Sequence, residues 1–353
     1  MLGAIVGDRT LPVVAATLDG FALHADPGGV RMGLVAAVGA RTRGGVAEVA
    51  PEVAERLEFA LTGLGGASPL GVVVAGRMVE AFVSRQAFGA PWPEVPEIEW
   101  RAHLAEAASE AMSYLGSKDV DEIRGLLQGI SYRALGRVRG AADGAPVRAR
   151  RGYGTADVAQ VALARPYARY FSIEEHRLRH RRFDGGMSGV VARAVFVSGD
   201  AVTVLPFDPR RRLVLLIEQF RIGPVARRDP HPWQLEAVAG RCDVGETPEA
   251  TARREAREEA AIELGRVARI AGYYTSPGIM AEHITAFVGE ADLGDAGGVH
   301  GLAEEDEDIR VIVTPLSEAL ELVAIGEVGN APLLLSLLWL GGQADRLVEM
   351  WTG

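Results

Sequence analysis

"GRCDVGETPEATARREAREEA", residues 240–260, crowds three carboxylates, Glu255, Glu258 and Glu259, onto one turn of a predicted helix. Thr247 suits the N-cap and Pro248 the first helical position, where a missing N–H costs nothing, so the helix is expected over about 248–262. At about 100° per residue the three carboxylates fall within an arc of about 100°. Like charges so placed repel one another, and the cost rises where the face is sheltered from water. A hard divalent cation such as Mg²⁺, which takes carboxylate and carbonyl oxygens, converts that repulsion into coordination. A solvated acidic face is the competing reading of a bare E-x-x-E-E.

Outward from this helix, strand-like and helical segments alternate. "AVTVLPFD" (201–208) and "RLVLLIEQF" (212–220) read as strands joined by the turn "DPRRR". "WQLEAVAG" precedes the acidic helix, and "ARIAGYYTS", "HITAFVGEA" and "RVIVTPL" follow it as further strands. Closing helices are expected at about 316–325 and 331–342. The alternation predicts an α/β fold with a mixed sheet.

At 353 residues the chain is expected to hold two domains. The first hundred residues alternate short apolar runs with glycine-rich turns and read as a β-rich or α+β unit. A helix follows at about 98–115, with Leu104, Ala108, Met112 and Leu115 at helical spacing and Gly116 as its stop. A second begins at Ser117, with Ile123, Leu126, Leu127 and Ile130 on its apolar face. "GRVRGAADGAPVRARRGYGT" (136–155) has no sustained period and marks the junction. The expected boundaries are 1–145 for the first domain, 146–165 for a linker and 166–353 for the second domain.

Hydrophobic residues at 48% and charged residues at 24% describe a globular protein. A net charge of −10 argues against a nucleic-acid partner, in spite of the basic stretches "RARRGYG" (148–154) and "EEHRLRHRRFDGG" (174–186). No run of eighteen apolar residues and no leader pattern stand in the chain, so no membrane partner and a cytoplasmic location are expected. The single cysteine, Cys242, cannot form an internal disulfide and reads as a small buried hydrophobe.

Gly240, five residues, Glu246, seven residues, then Arg254, Glu255, Ala256, Arg257, Glu258, Glu259, Ala260, Ala261 and Ile262 resemble the Nudix box, a loop–helix–loop that binds divalent metal and cleaves a nucleoside diphosphate linked to another moiety. One position departs: Ala261 stands where the family usually has glycine. Gly265 is expected to turn the chain in its place.

The resemblance extends over about 168–342 and is strongest to the bacterial ADP-ribose pyrophosphatases, through "YFSIEEHRLRHRRFDGGMSG", "LPFDPRRRLVLLIEQFRIG", "PWQLEAVAGR", "HGLAEEDEDIRV" and "NAPLLLSLLWL". It implies an α/β/α sandwich and a Mg²⁺-dependent hydrolysis of ADP-ribose, or a related ADP-sugar, to AMP and ribose 5-phosphate. Two or three Mg²⁺ ions are implied, with Mn²⁺ as a substitute. The metal set would be Glu255, Glu259, Glu307 and the main-chain carbonyl of Ala239. Glu305 would be the base, with Glu258 and Arg254 also catalytic, Arg254 by orienting the helix carboxylates. Tyr170 would stack on adenine, and Arg193, Arg221 and Glu282 would complete the substrate-binding set. The family's homodimer, formed by exchange of the N-terminal strands of the Nudix domain, is implied as well. Competing functions are cleavage of another nucleoside diphosphate compound such as NADH, and a low-turnover ADP-ribose sensor.

Residues 1–145 resemble a γ-glutamylcyclotransferase-like domain, a fusion associated with tellurite resistance, through "ATLDGFALHAD" and "FGAPWP". The family's substrate-cradling Tyr-Gly-Thr-Leu loop is missing from the start of the chain, and Leu61 falls where that family carries its acid/base glutamate. An aliphatic side chain moves no proton, so a degenerate domain kept for packing, dimerisation or substrate access is expected.

Overall fold

The structure, a computed structural model, describes residues 14–25, 32–46, 59, 67–74, 77–84, 90–91, 97–144, 147–301 and 307–352. The chain divides into two compact units, Met1–Gly199 with Asp243–Gly245 and Gly278–Ala281, and Asp200–Cys242 with Glu246–Pro277 and Glu282–Gly353.

In the first unit, strands β1 (Val14–Ala25), β2 (Met32–Val46), β3 (Ala67–Val74), β4 (Arg77–Ser84) and β5 (Ala90–Pro91) form a sheet in the order β3-β4-β2-β1-β5. The pairings are antiparallel except β2 with β4. Leu61 lies outside the described residues.

Helices α1 (Glu97–Met112) and α2 (Val120–Ala142) pair as a hairpin. Asp119 accepts from the Glu122 N–H at 2.8 Å, and Glu122 accepts from the Asp119 N–H at 3.0 Å, a reciprocal cap that sets the start of α2. Ala108 and Met112 are buried on α1, and Ile123, Leu126, Leu127 and Ile130 on α2. A second sheet follows, of β6 (Val158–Ala168), β7 (Ser172–His180) and β8 (Val191–Val197), antiparallel throughout. β6 starts at Val158, within the stretch expected as linker. Its mean composition hid a strand whose Val158, Val161, Leu163 and Tyr167 are all exposed.

The second unit is built on β9 (Ala201–Asp208) and β10 (Leu213–Phe220). The hairpin between them pairs only at its base, and then the strands part. Into the gap go β11 (Trp233–Glu236), which pairs with β10 after the short helix α3 (Ile222–Arg227), and β12 (Val238–Arg241), which pairs with β9. Helix α4 (Pro248–Ala260) comes next, then β13 (Val267–Tyr274), β14 (His283–Glu290), β15 (Gly298–His300) and β16 (Ile309–Pro315). The sheet order is β13-β14-β9-β10-β16-β15, and the parallel pairing of β14 with β9 makes it mixed.

Helices α5 (Leu316–Ile325) and α6 (Ala331–Thr352) close one side. Leu205, Phe207, Val214 and Leu216 of the sheet share a core with Leu333, Leu337, Leu340, Leu347 and Trp351. α6 passes the expected stop at 342. Gly341 and Gly342 do not end it, because Ala344, Leu347 and Trp351 continue the buried face for another ten residues.

Among the described residues no helix is long and apolar enough to cross a membrane.

Candidate active site

The acidic helix α4 reaches the sheet because its inner stripe is small. Ala252, Ala256 and Ala260, at i, i+4 and i+8, are buried, so the backbone can lie close to β12 and β9. Thr247 caps the first turn, accepting from the Ala250 N–H at 3.1 Å, and Pro248 takes the first helical position. The buried Thr251 hydroxyl donates to Glu246 at 2.9 Å, tying the preceding loop to the helix.

The far end corrects an expectation. Ala261 itself takes the left-handed conformation, φ 53° and ψ 34°, and its N–H closes onto the Arg257 carbonyl at 3.0 Å. Gly265 is not the turning residue; it donates its N–H to the Glu290 carbonyl at 2.7 Å. The turn geometry is kept with alanine in the place of glycine, at a steric cost of roughly 1 kcal/mol.

The helix carboxylates meet β12. Glu259, 3% exposed, accepts from the Ala239 N–H at 3.0 Å. The Glu255 carboxylate lies directly over Gly240, where any added Cβ would overlap it. Glycine at this position is therefore a space requirement.

Arg254 organises the cluster's outer edge. Its Nε donates to Glu246 at 3.0 Å, and Nη1 to Glu255 at 2.7 Å and to Glu258 at 2.8 Å. Nη2 reaches the Arg241 carbonyl at 3.1 Å. Burial opposes the Arg254 charge, but the bond to Glu246 and the charges of Glu255 and Glu246 hold its pKa above the ordinary guanidinium value. Arg221, just beyond β10, donates from Nη2 to Glu236 of β11 at 2.7 Å. Glu236 was missed in the sequence; its only signal was a lone charge ending the short strand "WQLE".

Six carboxylates, those of Glu236, Glu246, Glu255, Glu258, Glu259 and Glu307, thus surround two guanidiniums. Burial first, then the charges of Glu258 and Glu307, push Glu255 up to about 7 against the pull of Arg254. Burial also leads for Glu259, pushed up to about 8 with help from Glu255 and Glu307, and opposed by the Ala239 N–H and by Arg221. Glu307, described only from the end of its loop, is close enough to act on Glu255, Glu259 and Arg221. Glu305 lies outside the described residues.

Among the described residues no three acidic, histidine or cysteine side chains stand arranged as a finished metal cage. Arg254 and the Ala239 N–H occupy oxygens that a cation would take. The donor chemistry nevertheless fits a hard divalent ion: the set offers carboxylate and carbonyl oxygens and an uncompensated excess of buried acid.

Of the remaining expected residues, Glu282 immediately precedes β14, where its charge adds to burial in pushing the Tyr273 hydroxyl up to about 12. Tyr170 and Arg193 belong to the first unit. Tyr170 is at the β6–β7 turn, and Arg193 is exposed on β8, donating to its neighbour's Ala192 carbonyl at 2.8 Å.

A family profile described as "NUDIX domain" matches residues 197–334. The chain is 42% identical over 199 residues to the ADP-ribose pyrophosphatase of Escherichia coli (strain K12), covering 56% of this chain and 95% of that protein. It is 35% identical over 158 residues to a GDP-mannose pyrophosphatase of Escherichia coli O1:K1 / APEC, covering 43% and 80%. A solved structure described as an ADP compounds hydrolase aligns with 53% of the chain at 20% identity and a TM-score of 0.41. The chain belongs to the Nudix family of pyrophosphohydrolases.

Proposed function

We propose that this protein hydrolyses the pyrophosphate bond of ADP-ribose, adding water to give AMP and ribose 5-phosphate, with Mg²⁺ as the metal. The observation that carries the reading is the Glu255–Glu259 pair: two buried carboxylates on one helical turn, set against Gly240 and Ala239 and only partly neutralised by Arg254. The 42% identical relative bears the name of that activity.

Glu255 and Glu259, with the Ala239 carbonyl and Glu307, would hold Mg²⁺, two or three ions or Mn²⁺ in their place. Bound there, the metal supplies charge neutralisation at the pyrophosphate and a lowered pKa for the attacking water. Arg254 keeps Glu255 and Glu258 aimed from one side. Arg221, steadied by Glu236, offers its guanidinium to a phosphate oxygen. Glu305 takes the proton from water, and Tyr170, Arg193 and Glu282 contact the nucleotide. These last roles rest on the family resemblance.

The protein acts as a homodimer joined through β6. The exposure of Val161, Leu163 and Tyr167 on this edge strand supports that reading, since an uncovered apolar edge invites pairing. Residues 1–145 serve as a degenerate cyclotransferase-like support. The test is product analysis with ADP-ribose, ADP-glucose, GDP-mannose and NADH, with and without Mg²⁺. Preferential Mg²⁺-dependent release of AMP from ADP-ribose is expected. Preferential cleavage of another compound would reassign the substrate, and tight ADP-ribose binding without cleavage would indicate a sensor.

A further inference from the structure

Strand β13 carries a break in register. Arg269 stands opposite Phe287 and Ala271 opposite Ala286, so Ile270 is an extra residue without a partner of its own on β14. Under strict alternation Arg269 would point to the face opposite Gly272 and Tyr274. The bulge re-aims it. Arg269, Gly272 and Tyr274 stand opposite Phe287, Thr285 and His283, which are alternate positions of β14, and so share one face of the sheet. β13 is an edge strand, and all three residues are exposed, Tyr274 by 53%.

Glycine inside a strand marks a place where another group comes close. A Cβ built on Gly272 would lie 2.6 Å from Nη2 of Arg269 and 3.2 Å from Nε2 of His283. The guanidinium and the imidazole therefore converge over the bare Cα of Gly272. The His283 ring in turn stands edge-on to Tyr274, with centroids 5.2 Å apart and planes at 77°. All four residues belong to the second unit.

In the same unit Arg221, Arg253, Arg254, Arg266 and Arg310 each hold a carboxylate. Among the described residues no carboxylate pairs with Arg269, although the chain carries a net charge of −10. A guanidinium set beside an imidazole and left without a counter-ion presents converging N–H donors, and these match the oxygens of a phosphate. Gly272 and Tyr274 stand about 7 Å apart along the strand. A planar group carried by the phosphate can then lie against the tyrosine ring.

We propose that Arg269, His283 and Tyr274 form a surface site for a nucleoside monophosphate, with the phosphate over Gly272 and the base against Tyr274. The site goes beyond the pyrophosphohydrolase reading and shares no residue with the carboxylate cluster. AMP and ribose 5-phosphate, the products of the proposed reaction, both carry the phosphate monoester and only AMP carries the base, so together they separate the two halves of the site.

The test is amide hydrogen exchange of the full-length protein in metal-free buffer, with AMP, ribose 5-phosphate or inorganic phosphate as the probe. Without a cation the carboxylate cluster repels all three. AMP should slow exchange in 267–274 and 283–290, half-saturating at a concentration about fivefold or more below that of ribose 5-phosphate. Tyr274→Ala should bring AMP to the level of ribose 5-phosphate. Arg269→Gln should weaken all three probes by about tenfold or more. If Arg269→Gln does not fold, Arg269→Lys, which loses the planar fork, takes its place. No slowing in 267–274, slowing indifferent to the change at Arg269, or AMP binding no tighter than inorganic phosphate would each overturn the proposal. Failure of the protein to cleave ADP-ribose would change the catalytic reading and leave these binding outcomes as they are.

Discussion

The Glu255 carboxylate rests on the Cα of Gly240, in space that any other residue would fill. This contact joins the first glycine of the box to a helix residue fifteen positions later, and it fixes how closely α4 approaches β12. Gly240→Ala should displace Glu255 from the cluster. A shift of about 1 Å in a catalytic group can cost on the order of 10²-fold in rate. A comparable fall in kcat is expected, with circular dichroism unchanged.

Ala261 holds a left-handed conformation that alanine adopts at a cost. Ala261→Gly removes the clash and should stabilise the second unit by about 1 kcal/mol, visible as a rise of about 2–4 °C in its calorimetric transition. A destabilised variant would show that the strain is absent in solution.

Glu255 and Glu259 have raised pKa values, about 7 and about 8, so without metal they favour the folded state most when protonated. Their contribution is complete below the ordinary carboxylate value and is lost as pH rises through 7 and then 8. The melting temperature of the metal-free protein should therefore fall as pH rises from about 4.5 to about 8 and level off above it. A cation binds the deprotonated pair, so the increment from added Mg²⁺ should grow across the same window. Replacing both residues with glutamine should flatten both trends.

Arg254 touches Glu246, Glu255 and Glu258 together. Arg254→Met leaves three acids without their shared counter-charge. Outer partners of metal ligands typically contribute about 10–100-fold, and a kcat loss in that range is expected. The Mg²⁺ concentration at half-maximal rate should shift as well.

Much of this site was legible along the chain because its signals are local. The cap at Thr247, the proline at 248 and the spacing from Gly240 to Glu259 all lie within twenty residues and describe one loop and one helix. Signals that depend on partners far along the chain were not. Glu236 holds Arg221 only because β10 and β11 pair in the register Ile217 to Glu236. Gly129 reads as a flaw in a helix until the turn at 169–170 is folded against it. The left-handed end of α4 falls on an alanine, where composition pointed to the nearby Gly265. The double glycine at 341–342 resembles a helix stop, but the apolar face beyond it outweighs the local cost of glycine.

The most direct measurement is AMP release from ADP-ribose by the wild type and by Glu259→Gln, each with and without Mg²⁺. The expected result is Mg²⁺-dependent formation of AMP and ribose 5-phosphate in equal amounts, reduced by at least about 10²-fold in the correctly folded variant, since a direct ligand should matter no less than its outer partners. Equal rates for the two proteins, or wild-type cleavage indifferent to metal, would contradict the placing of the catalytic centre at the Glu255–Glu259 pair.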